Sequence, residues 1–140
     1  MKIYFAGSIR GGREYRDLYH SIIIHLEKFG KVLSEHIGST SLTSFGEEEQ
    51  DNHRIHQRDM EWLTESDVVI AEVSIPSLGV GYEIGRALEK NKPILCLYKQ
   101  DARKKLSAMI AGSQELTVVT YQDSETALQV IDEFMNTLMS

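Results

Sequence analysis

"SDVVIAEVSIPSLGVGYEIGRAL", Ser66 to Leu88, decides the fold. Its first half is a short apolar, β-branched run, the pattern of a strand buried on both faces and so of a parallel sheet. After Pro76 the pattern changes, and Gly79, Gly81 and Gly85 punctuate an apolar run that reads as a helix entered through a loop. A strand passing through a loop into a helix is half of a strand-helix-strand unit. The same alternation continues in both directions along the chain.

Upstream, "KIYFAG" is a buried strand that halts at Gly7, and "KVLSEH" a short second one. Between them, Tyr15, Leu18, Tyr19, Ile22, Ile23, Leu26 and Phe29 recur at spacings of three and four, which predicts an amphipathic helix ended by Gly30. The segment from Ile37 to Gln50 has the glycine, serine and acid content of a mobile loop, one that would be placed to close over a ligand. A second helix is expected from Asn52 to Thr64, capped by Asp51 or a neighbour. Downstream follow a strand in "KPILCLY", a short helix in "KKLSAMIAG", a strand in "ELTVVTY" and a closing helix in "SETALQVIDEFMNTLM".

These elements predict an α/β fold: a three-layer, flavodoxin-like (Rossmann-like) domain with a five-stranded parallel sheet in the order 2-1-3-4-5, right-handed crossovers and helices on both faces. In such a sheet the ligand crevice opens at the carboxyl ends of strands one and three, where the winding reverses. Topology alone therefore selects two loops, "GSIRGG" and "VSIPSLGVG".

The 140 residues suit one hydrophobic core, so residues 1–140 are read as a single domain. With 15 Lys and Arg against 21 Asp and Glu, the net charge of -6 argues against a nucleic-acid polymer as partner while leaving room for a pocket that holds one phosphate. Cys96, the single cysteine, sits in a strand and fits a reducing compartment. Strand-like sequence from Lys2 and the lack of any span-length apolar run give the expectation of no secretory leader, no membrane span and a cytoplasmic location, extending to the nucleus in a eukaryote.

In "GSIRGG", Gly7, Ser8, Gly11 and Gly12 let the backbone approach a ligand, and the N–H groups at a helix start favour an anion. Arg10 adds a fork of donors. The glycine spacing is neither a dinucleotide fingerprint nor a phosphate-binding P-loop. A tight turn and a phosphate site fit these residues equally, and the position at the switch point favours the second. Glu83 falls about one turn inside the third helix, facing back over the crevice, where the macrodipole favours an ionised carboxylate. Either it complements the helix start or it is a nucleophile or base, and again the crevice favours chemistry. Gly81 and Gly85 would give that helix a smooth face for close approach to the sheet. Asp59 lies four after Ile55 and three before Trp62, on the inward stripe of its helix. A buried acid is either a satisfied structural group or a working one. Two inward acids at one crevice point to acid-base or covalent chemistry at an acetal-like carbon. His53 and His56 read as a solvated helix start rather than a metal site, and no metal is expected. His36 borders the crevice or is an ordinary loop residue, and Ser77 caps a helix or binds phosphate.

Together "YFAGSIRGGRE", "HQRDMEWLTESDVVIAEVSIPSLGVGYEIGRAL", "KPILCLY" and "LSAMI" resemble the 2'-deoxynucleoside 5'-phosphate N-hydrolase family, a branch of the nucleoside 2-deoxyribosyltransferase superfamily, from Ile3 to about Gly112. The resemblance implies hydrolysis of the N-glycosidic bond of 2'-deoxynucleoside 5'-monophosphates to a free base and 2-deoxyribose 5-phosphate, without metal or organic cofactor. On it, Glu83 matches the catalytic glutamate that forms a glycosyl-enzyme, Asp59 the acid near base and sugar, and Tyr4 the tyrosine that positions the glutamate. Gly7, Ser8, Ile9, Arg10, Gly11, Gly12 and Arg13 match the loop around the nucleotide, and His36 a substrate-side histidine. Ser77 and Gly79 match phosphate contacts, and Ser107, with Ala108 and Met109, a segment lent by the other subunit of a homodimer. A transferase that moves deoxyribose between bases usually carries an acid six residues before the glutamate, where this chain has Ser77. A serine can donate to a phosphate that an acid would repel, which favours the hydrolase over the transferase. A ribonucleotide hydrolase and a non-catalytic nucleotide sensor complete the alternatives.

Overall fold

In the computed structural model, which describes residues 1–36 and 51–140, the apolar runs become five strands: β1 (Lys2–Gly7), β2 (Lys31–Leu33), β3 (Val68–Glu72), β4 (Ile94–Lys99) and β5 (Thr117–Tyr121). They form one sheet in the order β2-β1-β3-β4-β5. Every pairing is parallel, with Ile3 beside Val68 and Gly7 beside Glu72. The connecting helices are α1 (Gly12–Leu26), α2 (Asn52–Glu65), α3 (Leu78–Glu89), α4 (Ala108–Ala111) and α5 (Ser124–Met139). The loop expected from Ile37 to Gln50, and its closing over a ligand, lie outside the described residues. No helix among the described residues is long and apolar enough to cross a membrane.

Alternation along each strand divides the core in two. Ile3, Phe5, Val68, Ile70, Leu95 and Leu97 pack against Tyr19, Ile22 and Leu26 of α1 and Ile131 and Met135 of α5. Tyr4, Ala6, Val69, Ala71, Ile94 and Cys96 pack on the other face against Leu63 of α2 and Val80, Ile84 and Ala87 of α3. Each fully buried Leu or Ile contributes about 2 kcal/mol through apolar burial. Cys96 is completely enclosed, and burial pushes its thiol up to about 12, so it serves packing.

Several local expectations are corrected. α1 ends at Leu26, because the next N–H groups make tighter turns, Lys28 to the His25 carbonyl at 3.2 Å and Phe29 to that of Leu26 at 2.9 Å. Gly30 instead admits the backbone of Met1: an added Cβ would stand 2.1 Å from the Met1 carbonyl oxygen, which accepts the Lys31 N–H at 2.9 Å. β2 spans only Lys31–Leu33, and α4 is a single turn between its cap, Ser107, and Gly112. Gly81 and Gly85 do not face the sheet. A Cβ on either would meet nothing within 4 Å, because the inward stripe is Val80, Ile84 and Ala87, one position out of phase.

Candidate active site

Glu83 comes to the crevice because Ser77 starts α3: its hydroxyl accepts the Val80 N–H at 3.2 Å and its carbonyl the Gly81 N–H at 3.1 Å. The helix begins at Leu78, so Glu83 lies in its second turn, beyond the reach of the macrodipole. Its partner is the hydroxyl of Tyr4, which rises from the same face of β1 and donates to Oε2. The expectation of an ionised carboxylate is corrected here. Burial pushes Glu83 up to about 8, the Tyr4 hydrogen bond opposes this, and the charges of Glu35 and Asp59 add to it. Tyr4, 2% exposed, has its own pKa driven far up by burial and by Glu83, Asp59 and Glu35, so it remains a donor throughout the physiological range.

Asp59 is drawn inward by the stripe that carries Leu63 and keeps 13% of its side chain exposed. Arg58 donates from Nε to its Oδ1 at 3.0 Å, and Nη2 stands at ion-pair distance from the same oxygen, also 3.0 Å. The guanidinium lies 4.8 Å from the centroid of the Trp62 ring and 3.8 Å from Oε2 of Glu35. Glu35, Asp59 and Glu83 therefore all act electrostatically on the Tyr4 phenol, with Arg58 beside the first two. Reading the sequence missed Arg58 and Glu35. Adjacent helical residues do not normally face each other, so the spacing of Arg58 and Asp59 gave no cue, and Glu35 follows a strand three residues long.

The other wall is the loop after β1. Ser8 is buried, and its hydroxyl accepts the Arg10 N–H at 3.1 Å. Gly12 has φ of +78, a conformation that favours glycine. Gly11, the cap of α1, supplies no side-chain acceptor to the first N–H groups of the helix. The loop rests on two rings: a Cβ on Gly7 would lie 2.9 Å from Tyr19, and one on Gly11 would lie 2.7 Å from the Cβ of Tyr15. Ile9, Arg10 and Arg13 are exposed above it. His36 closes the rim, donating from Nε2 to the Gly7 carbonyl at 3.0 Å, with its ring edge-on to Phe5 and Tyr19. Burial lowers its pKa, and the Gly7 contact opposes this.

The structure thus brings Tyr4, Asp59 and Glu83 into one electrostatic cluster, and joins His36 to the 7–13 loop at Gly7. Ser77 and Gly79 open α3 at the pocket's edge, and the Ser77 hydroxyl, used as an acceptor within the helix cap, keeps its proton for an incoming oxygen. Ser107 caps α4, accepting the Met109 N–H at 3.2 Å. Among the described residues no hydrogen bond links Ser107, Ala108 or Met109 to Tyr4, Asp59 or Glu83. All three are exposed, Met109 by 82%. No cluster of His, Cys, Asp and Glu suited to a metal ion occurs among the described residues.

A parallel sheet with its winding reversed at β1 and β3, and acids gathered near that reversal, defines a doubly wound α/β domain. The chain belongs to the nucleoside 2-deoxyribosyltransferase family, whose model matches residues 3–135. It is 46% identical over 140 residues to a 5-hydroxymethyl-dUMP N-hydrolase of Danio rerio, an alignment covering 99% of this chain and 98% of that one. A 5-hydroxymethyl-dUMP N-hydrolase of Homo sapiens is 50% identical over 127 residues, covering 88% and 73%. A solved CMP N-glycosidase of Clostridium botulinum shares the fold with a TM-score of 0.71 at 19% identity, over 96% of this chain and 99% of that one.

Proposed function

We propose that this protein hydrolyses the N-glycosidic bond of 2'-deoxynucleoside 5'-monophosphates, releasing the base and 2-deoxyribose 5-phosphate through a glycosyl-enzyme on Glu83. The observation that carries this reading is the Tyr4 hydroxyl on Glu83 Oε2, with Asp59 in the same pocket. The relatives named as nucleotide N-hydrolases support it at 46% and 50% identity.

In the reaction, ionised Glu83 attacks the anomeric carbon as the bond to the base nitrogen breaks, and the bond's electron pair leaves with the base. Asp59, an ionised carboxylate beside Arg58, accepts the proton of the water that attacks the same carbon and passes it to the nitrogen of the released base, with Glu83 departing as a carboxylate. The rise from Leu78 to Glu83, about 7.5 Å along a helix, suits a phosphate at the start of α3 and a sugar carbon over Glu83. Phosphate binding then supplies the energy that orients the sugar. Ser77 supports a phosphate ester over a free 5'-hydroxyl, and so hydrolase over transferase. Ser107 and Met109, both exposed, serve the site of a second copy in a homodimer.

Glu83→Ala is expected to abolish base release while the circular dichroism spectrum and melting cooperativity persist. A folded variant with near-full turnover refutes the proposal. A panel of deoxy- and ribonucleotides, with and without an acceptor base, separates hydrolysis from transfer through the sugar product formed.

A further inference from the structure

Glu72, the last residue of β3, is completely buried and has no part in the chemistry above. It lies on the α1 side of the sheet, opposite Glu83. Three donors meet its carboxylate: the Ser74 N–H at 2.9 Å on Oε1, the Ser74 hydroxyl at 2.7 Å on Oε2, and the Tyr121 hydroxyl on Oε2. The Ser74 oxygen in turn accepts the Lys99 N–H at 2.8 Å. One acid thus ties together the carboxyl ends of β3, β4 and β5.

Its connections reach both walls of the crevice. Ser74 stands three residues before Ser77, with Pro76 and its fixed φ between them, so holding Ser74 restricts the start of α3. Across the crevice, the 7–12 loop rests on Tyr15 and Tyr19. Glu72 stands beside Gly7, the first residue of that loop, in the sheet register, and burial first and the Glu72 charge second raise the pKa values of both phenols. We propose that Glu72 is a positioning residue that fixes the separation of the 7–12 and 73–77 loops, and through it the fit of the substrate's phosphate. This rests on the reading above that those loops hold the 5'-phosphate.

Two variants test it. Tyr121→Phe removes one donor and keeps the ring; Glu72→Gln keeps the size and turns an N–H₂ towards groups that donate. Base release from deoxynucleoside 5'-monophosphates is measured with inorganic phosphate as competitive inhibitor, beside the melting temperature. The phosphate inhibition constant and KM are expected to rise together by about tenfold in Tyr121→Phe, as for loss of one charge-assisted contact, with kcat held within about twofold. Glu72→Gln, if folded, shows the same split. A Tyr121→Phe enzyme that melts lower but keeps its phosphate inhibition constant and KM overturns the proposal, because the cluster is then structural only. A wild-type enzyme that neither cleaves monophosphates nor responds to phosphate overturns the functional reading on which it rests.

Discussion

Replacing Glu83 by Gln should stabilise this protein, and more so as the pH rises. The carboxyl titrates at about 8 in the fold against 4.5 in the unfolded chain. Between these values the unfolded chain has released its proton while the fold retains it, so stability contributed below the lower value is lost as pH climbs through the upper one. At 1.36 kcal/mol for each tenfold change, the ionised group costs the fold about 5 kcal/mol at the alkaline limit, and about 4 kcal/mol of that accrues between roughly pH 5 and pH 9. Gln keeps the shape and still accepts from Tyr4, but carries no proton to lose. Melting curves of both proteins across this range test the reasoning, because their difference cancels every other titrating group. The gap in melting temperature should widen by roughly 10–15 °C towards alkaline pH. Parallel curves would show that burial does not hold Glu83 protonated, and the electrostatic account of the pocket would fall with it.

Two further outcomes concern activity. Tyr4→Phe removes the hydrogen bond that holds Glu83 down, so the rise of kcat/KM with pH, expected to level off near 8 in the wild type, should move to higher pH. The loss at neutral pH should be about tenfold for a shift of one pH unit, and a profile displaced towards acid would contradict the assigned direction. In the proposed homodimer, Ser107→Asp would set a carboxylate against an anionic nucleotide in the neighbouring subunit's site. Equal mixing with Glu83→Ala should restore about a quarter of wild-type activity, since half of the dimers then hold one intact site; no recovery in verified mixed dimers would place Ser107 outside a shared site.

The sheet order was legible because each strand is a short apolar run bounded by punctuation, and alternation with helices leaves few topologies. Topology then selected the two loops that flank the pocket, and the period of α2 turned Asp59 inward. Other features were out of reach for identifiable reasons. The smooth face assigned to Gly81 and Gly85 failed because glycine marks a lack of side chain without saying which way it faces; Val80, Ile84 and Ala87 hold the inward stripe. The protonation of Glu83 depends on desolvation, which follows from three-dimensional enclosure and outweighs a dipole already faded by the second turn. Arg58 went unread because its partner Asp59 is the next residue of the same helix, Glu35 because it meets Arg58 across 23 residues of chain, and Glu72 because its cluster includes Tyr121 of another strand.

A nucleophile protonated near neutral pH looks self-defeating, yet the forces responsible act in the opposite sense on the proposed transition state. Burial does most to raise Glu83, and Glu35 and Asp59 add to it because two negative charges disfavour a third. As the bond to the base breaks, positive charge gathers on the anomeric carbon, and these carboxylates become attractive to it in a space that burial has already desolvated. Ionising Glu83 is opposed by burial and by its acidic neighbours and favoured beneath a sugar turning cationic, so the interaction is stronger in the transition state than in the ground state, which is the condition for raising kcat. Arg58 moderates the repulsion by holding one oxygen of Asp59, and Tyr4 donates a hydrogen bond to Oε2 of Glu83, which favours its ionised form. The alkaline instability expected of the wild type and its glycosidase activity therefore share one cause, and Glu83→Gln should remove both together.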